Sequence, residues 1–143
     1  MALSDERLEM IRANADFAVR EMTGLCGADF GYNAASVAWA EGFIERQRPA
    51  AAQDNAQGIV NVLGSYLGEA IIAAVPGSRW AEDASGSVGV LFPNGDMAYP
   101  FAKVEKQLAG GLEGGESILS FYNVTVNHLA TGKLSQAASK GAP

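Results

Sequence analysis

GIVNVLGSYLGEAIIAAV, residues 58–75, is the longest apolar run of the chain, and its reading decides the fold. Ile59, Leu63, Tyr66, Leu67, Ala70, Ile71 and Ala74 recur at three- and four-residue steps, which predicts a helix with one broad core face. Asp54 and Gln57, three residues apart at its start, form a reciprocal capping pattern. Pro76 and Gly77 stop it. Gly64 and Gly68 stand one turn apart, each costing about 1 kcal/mol against alanine inside a helix. Keeping both predicts a neighbour pressed onto the helix backbone.

Asn61, Ser65 and Glu69 are spaced at four and draw a polar stripe along this helix. The stripe argues against a bilayer span, although about 20 apolar residues suffice for one. Two readings of it stand. It is the solvated edge of a mostly buried helix, or Glu69 lines a cleft as a ligand-binding or acid/base group.

Upstream, Ser4 caps a first helix that runs to about Met22, with Asp5 and Glu6 at the positive end of its dipole. Leu8, Ile11, Ala15, Ala18 and Met22 give it one apolar face, and Gly24 ends it. Residues 25–33 read as a loop with Phe30 and Tyr32 tucked inward. Asn33 or Ser36 caps a second helix through about Arg48, facing Val37, Ala40, Phe43 and Ile44 inward with Trp39 at the boundary. Pro49 ends or kinks it. Glu41, Glu45, Arg46 and Arg48 are expected on its solvated side, the alternative being an anion site built by the two arginines.

Downstream the period changes from helix to strand. Residues 78–82 carry Trp80, residues 83–86 turn, and residues 87–92 alternate Val88, Val90 and Phe92, a hairpin signal. Pro93, Asn94, Gly95 and Asp96 turn again into a third strand, residues 97–99. Pro100 opens a helix with Phe101, Val104 and Leu108 on one face, stopped by Gly110 and Gly111. GGLEGG, residues 110–115, is a connector; as a phosphate cradle it lacks the lysine and hydroxyl of a P-loop. A last helix covers about residues 116–129 through Ile118, Phe121, Tyr122, Thr125 and Leu129. The fold class is therefore α+β: N-terminal helices and a long central helix packed on a small antiparallel three-stranded sheet, followed by C-terminal helices. One domain spans residues 1–132, and residues 133–143 form a flexible tail.

The 143 residues carry a net charge of −6 with no basic cluster, which disfavours nucleic acid. A single cysteine, Cys26, excludes an internal disulfide, and the opening residues lack a leader pattern, so a cytoplasmic location is expected. Cys26 and the lone His128 are far apart in sequence and read as a semi-buried thiol and a boundary histidine rather than a nucleophile and base. The sequon at Asn123-Val124-Thr125 is read as chance in that location. No metal-ligand spacing and no cofactor fingerprint is present, so no metal and no cofactor are expected.

LGSYLGEAI (63–71), Trp80, PFAKVEKQL (100–108) and GGESILSFY (114–122) together resemble a family of small uncharacterised bacterial proteins, a domain of unknown function. Its pattern is LGxxLGE, a strand tryptophan, PFxKV and SIxxFY. The resemblance covers roughly residues 34–122 and matches at Gly64, Gly68, Glu69, Trp80, Pro100, Phe101 and Lys103. It implies a bacterial, cytoplasmic protein and brings no activity. Among those positions, an ion pair between Glu69 and Lys103 would orient the helix over the sheet or line a pocket.

The expectation that follows is a small protein-interaction module of the kind bacteria use for immunity to, or regulation of, another protein. A ligand-binding or hydrolytic cleft between central helix and sheet is the alternative, with Tyr66, Glu69, Trp80 and Lys103 as its candidate residues. The partner is a protein or a second copy pairing through the first helix, with no nucleic acid and no membrane. Without a nucleophile beside a base, the interaction reading is favoured over an enzyme.

Overall fold

A computed structural model describes residues 2–27, 29–51 and 56–131. Its elements are α1 (Asp5–Cys26), α2 (Ala34–Ala51), α3 (Ala56–Ala74), β1 (Arg79–Glu82), β2 (Val88–Leu91), β3 (Met97–Ala98), α4 (Pro100–Gly110), a 3-10 turn at Leu112–Gly114, and α5 (Ile118–Thr131). The α+β architecture read from the sequence is the one observed, with helices at both ends of a small sheet. Asp54 of the capping pattern, the side chain of Leu129 and the tail at 133–143 lie outside what is described.

α3 is the central element because its apolar side chains occupy almost its whole circumference. Every residue from 63 to 68 is buried, Tyr66 and Leu67 completely. Burial of a large apolar side chain is worth about 1.5–3 kcal/mol, so this one helix anchors the core. α1 packs along one side of it and α4 along another, while α5 and α2 close the remaining flank. Ser65 is buried rather than on a solvated stripe. Its hydroxyl satisfies itself by donating to Asn61 O at 2.7 Å, leaving only Asn61 of that stripe exposed and Glu69 half-buried.

The sheet is an antiparallel meander in the order β1-β2-β3, with Trp80 opposite Val90 and Val90 opposite Ala98. A bridge between Ala2 and Ala81 covers the outer edge of β1. Both turns need a left-handed glycine, Gly86 at φ +86° and Gly95 at φ +95°. Asp83 rivets the first turn: its carboxylate accepts from the Ser85 and Ser87 amides, both at 2.9 Å, and from Tyr99 Oη at 2.8 Å. These hydrogen bonds, that from Tyr99 foremost, hold its carboxyl at about 2.

Two helix ends differ from the sequence expectation. α1 passes through Gly24 and stops at Gly27, whose left-handed φ of +69° lets its amide reach Thr23 O at 3.1 Å. Glycine inside a helix is a cost, whereas glycine at a positive φ is a stop. α2 runs past Pro49 to Ala51, the proline standing in the last turn. At the other end Asn33 is the cap, its side chain accepting from Ser36 N at 2.8 Å. Ser36 instead holds the preceding loop by accepting from Gly31 N at 2.9 Å.

Candidate functional site

Gly64 and Gly68 of α3 mark where its neighbours approach. A methyl at Gly64 would overlap the ring of Phe101 on α4, and one at Gly68 would overlap the Trp80 indole on β1. The two aromatic rings lie 5.5 Å apart, so helix, strand and helix meet at a single aromatic junction. One residue beyond Gly68, Glu69 accepts the Trp80 indole N–H at 2.7 Å. The carboxylate thereby satisfies a buried donor that would otherwise be orphaned.

Glu69 and Lys103 do not pair. Lys103 Nζ contacts Glu116 Oε1 at 2.7 Å, 13 residues along the chain, and this contact holds the Glu116 carboxyl below its usual range. The expected ion pair fails because Glu69 is committed to the strand and Lys103 to the start of α5. Tyr66 is likewise structural. Its hydroxyl donates to Gly31 O at 2.6 Å, and its ring sits between Phe30 and Tyr32 at centroid distances of 5.1 and 5.4 Å. Burial, and then the neighbouring Tyr122 and Tyr32, raise its phenol far above the usual value, so it is no general base near neutral pH.

The four candidates therefore divide. Tyr66, Glu69 and Trp80 belong to the core and its rim, and none of the three lines the surface clefts that open beside Lys103, around Gln57 or beside Phe17. Lys103 lines a cleft of about 340 Å³ between β3, α4 and α5, together with Lys106, Asp96, Tyr99 and Phe121. Three further clefts of about 630, 650 and 310 Å³ adjoin one another at Gln57 and Val60, with Arg7, Arg48, Asp83 and Glu105 scattered on their walls. Their charges do not converge on one point.

The sequence reading missed a polar network at the α2–α4–α5 junction. Gln107 is fully buried; its amide donates to Glu45 Oε2 at 2.9 Å and accepts from Ile118 N at 2.8 Å. Glu41 accepts from Ser117 Oγ and from Leu119 N, placing a carboxylate on the positive end of α5. Arg48 donates to Leu108 O and Ala109 O, capping the negative end of α4. The outer charged side expected for α2 is thus largely an inner one, with Arg46 alone facing solvent over the Trp39 ring at 5.2 Å. The two arginines serve different partners, so no anion site forms. The GGLEGG cradle fails for a similar reason. The amides of Gly114 and Gly115 close the 3-10 turn, and Leu112 N donates to Glu45.

Among the exposed side chains of α1 several are large and apolar. Met10, Phe17 and Leu25 of α1 are 62, 47 and 62 % exposed. Phe17 and Leu25 wall a groove of about 300 Å³ whose floor is Met22, Phe43, Ile59 and Val62, with Glu21 as a charged group at its edge. A signal for it was present in the sequence: Phe17, Glu21 and Leu25 are spaced at four and do not belong to the core face of α1. Cys26, at the end of α1, sets its thiol against Thr23 O at 4.0 Å. Among the described residues no group of three His, Cys, Asp or Glu side chains is placed to hold a metal, and no helix is long and apolar enough to cross a membrane. Comparison with protein-family models, curated proteins and solved structures finds no match to the chain.

Proposed function

We propose that this chain is a small protein-interaction module of the bacterial cytoplasm, of an immunity-like or regulatory kind, which binds a partner segment in the α1–α2–α3 groove. The observation that carries the reading is the groove itself. Large apolar side chains, an aromatic among them, stand exposed around a concave apolar floor, an arrangement that a solitary soluble surface has no use for. The occupant is an apolar segment carrying a basic residue. Glu21 offers that residue a counter-charge, and the net charge of −6 steers a basic surface toward the chain.

Membership in the family with the LGxxLGE, PFxKV and SIxxFY pattern is part of the same proposal. Its support is that Gly64, Gly68, Glu69, Trp80 and Phe101 meet at one junction. The cleft reading retains Lys103 alone of its candidates, and that lysine is held by Glu116.

The test is affinity capture from the native host's lysate with the full chain and two surface variants, Leu25→Glu and Glu21→Lys. A stoichiometric protein retained by the native sequence and lost by both variants is the expected result. No partner, or a partner indifferent to both variants, overturns the groove. A retained metabolite without protein would move attention to the Lys103 cleft.

A further inference from the structure

We propose that the outer ridge of α1 pairs antiparallel with the same ridge of a second copy, about a twofold axis at Phe17. This pairing goes beyond the groove: ridge and groove share Phe17, while Met22, Phe43, Ile59 and Val62 lie off the ridge.

Gly24 is a glycine that the protomer does not explain. Gly64 and Gly68 each make room for an aromatic ring. Gly24 lies inside α1 without a positive φ, and a Cβ there would meet nothing within 4 Å among the described residues. It carries the usual helical cost of about 1 kcal/mol against alanine with no compensating contact among the described residues. Gly24 shares its side of the helix with Met10, Ala13 and Phe17, which recur at three, four and seven residues and are all exposed. α1 packs mainly on α3, so no other described element covers this side.

The spacing is palindromic in shape. Met10 and Gly24 each lie seven residues from Phe17, about 10 Å along the axis. An antiparallel mate centred on Phe17 therefore sets each Met10 over the other copy's Gly24 and stacks the two Phe17 rings at the axis. A knob meets a gap twice, as an isologous interface requires. Ala13 keeps the backbones close between these contacts.

Charge follows the same symmetry. Asp16 and Arg20 are exposed on one flank of the ridge, and the antiparallel arrangement brings Asp16 of each copy beside Arg20 of the other. Glu9 and Glu21 lie on opposite flanks of the ridge, and at their own heights the mate carries the uncharged Leu25 and Ala13. The net charge of −6 per copy opposes association, but beyond about 8 Å it is screened at physiological salt, which leaves the local pattern to decide. One helix pair is a small interface, so the pair dissociates on dilution.

Sedimentation equilibrium of the full chain, from roughly 1 μM to 1 mM, tests this. The mass should climb with concentration toward twice 14.9 kDa. Gly24→Gln, which strengthens the helix yet fills the gap, should weaken association about tenfold or more. Asp16→Arg and Arg20→Asp should each weaken it, and the double variant should recover it. A monomer at every concentration overturns the pairing, as does a dimer indifferent to Gly24→Gln or a double variant no tighter than the singles. A monomer that still captures a partner through the groove would sink this pairing and leave the groove standing; a dimer that captures nothing would do the reverse.

Discussion

Gly68 shows how much a single absent side chain can decide. The Trp80 indole occupies the space of its missing methyl and places its N–H on the next carboxylate, Glu69. Gly68→Ala should cost about 2–3 kcal/mol by overpacking, although alanine is the better helix former, and urea denaturation would measure it. A gain in stability would mean that the indole yields freely. Asp83 makes a different prediction. Its folded carboxyl sits at about 2, below its ordinary 3.8, so the stability it contributes is complete above pH 4 and is lost as pH falls through 2. Tyr99→Phe removes the first of the donors responsible. The Asp83 titration followed by NMR should then move up toward the ordinary value, and thermal stability should lose part of its slope between pH 4 and pH 2.

At the scale of elements, the ends of α4 and α5 are held by α2 side chains 60 to 78 residues away. Gln107 joins all three helices, so Gln107→Met would strand the buried Ile118 amide, while Glu45 keeps the Leu112 amide and Arg48 as partners. Leaving buried polar groups unpaired costs about 1–3 kcal/mol each. The expected result is a loss of about 1–3 kcal/mol in denaturation, with faster hydrogen exchange at the start of α5. If exchange there is unchanged, Gln107 is not what docks that helix. This junction was closed to sequence reading, since Glu41 and Glu45 at four-residue spacing look like any solvated pair. Their partners are set by tertiary approach. The core face of α3, the close approaches at Gly64 and Gly68, both hairpin turns and Pro100 at the start of α4 were open to it, because each is written in local spacing or in a backbone requirement. Gly24 and Pro49 misled for the converse reason: each breaks a local rule inside a helix that continues.

For the whole molecule, the candidate site was less legible than the fold. Tyr66, Glu69 and Trp80 attract notice as polar or aromatic groups in an apolar setting, yet Glu69 and Trp80 bond to each other and Tyr66 to the Gly31 backbone rather than opening on a cleft. The apolar groove was legible only as a residue left over from the core face of α1, because exposure depends on which neighbours arrive. The two tryptophans of the chain stand in opposite settings: Trp80 is sealed in the core against a carboxylate, and Trp39 is half-exposed under a guanidinium. Their fluorescence is therefore distinct in solvent access and local field, and a soluble quencher reaches one before the other. Without any label, the protein carries two reporters, one on the sheet–helix junction and one on α2. Coincidence of their unfolding curves would establish that these regions melt as a single cooperative unit.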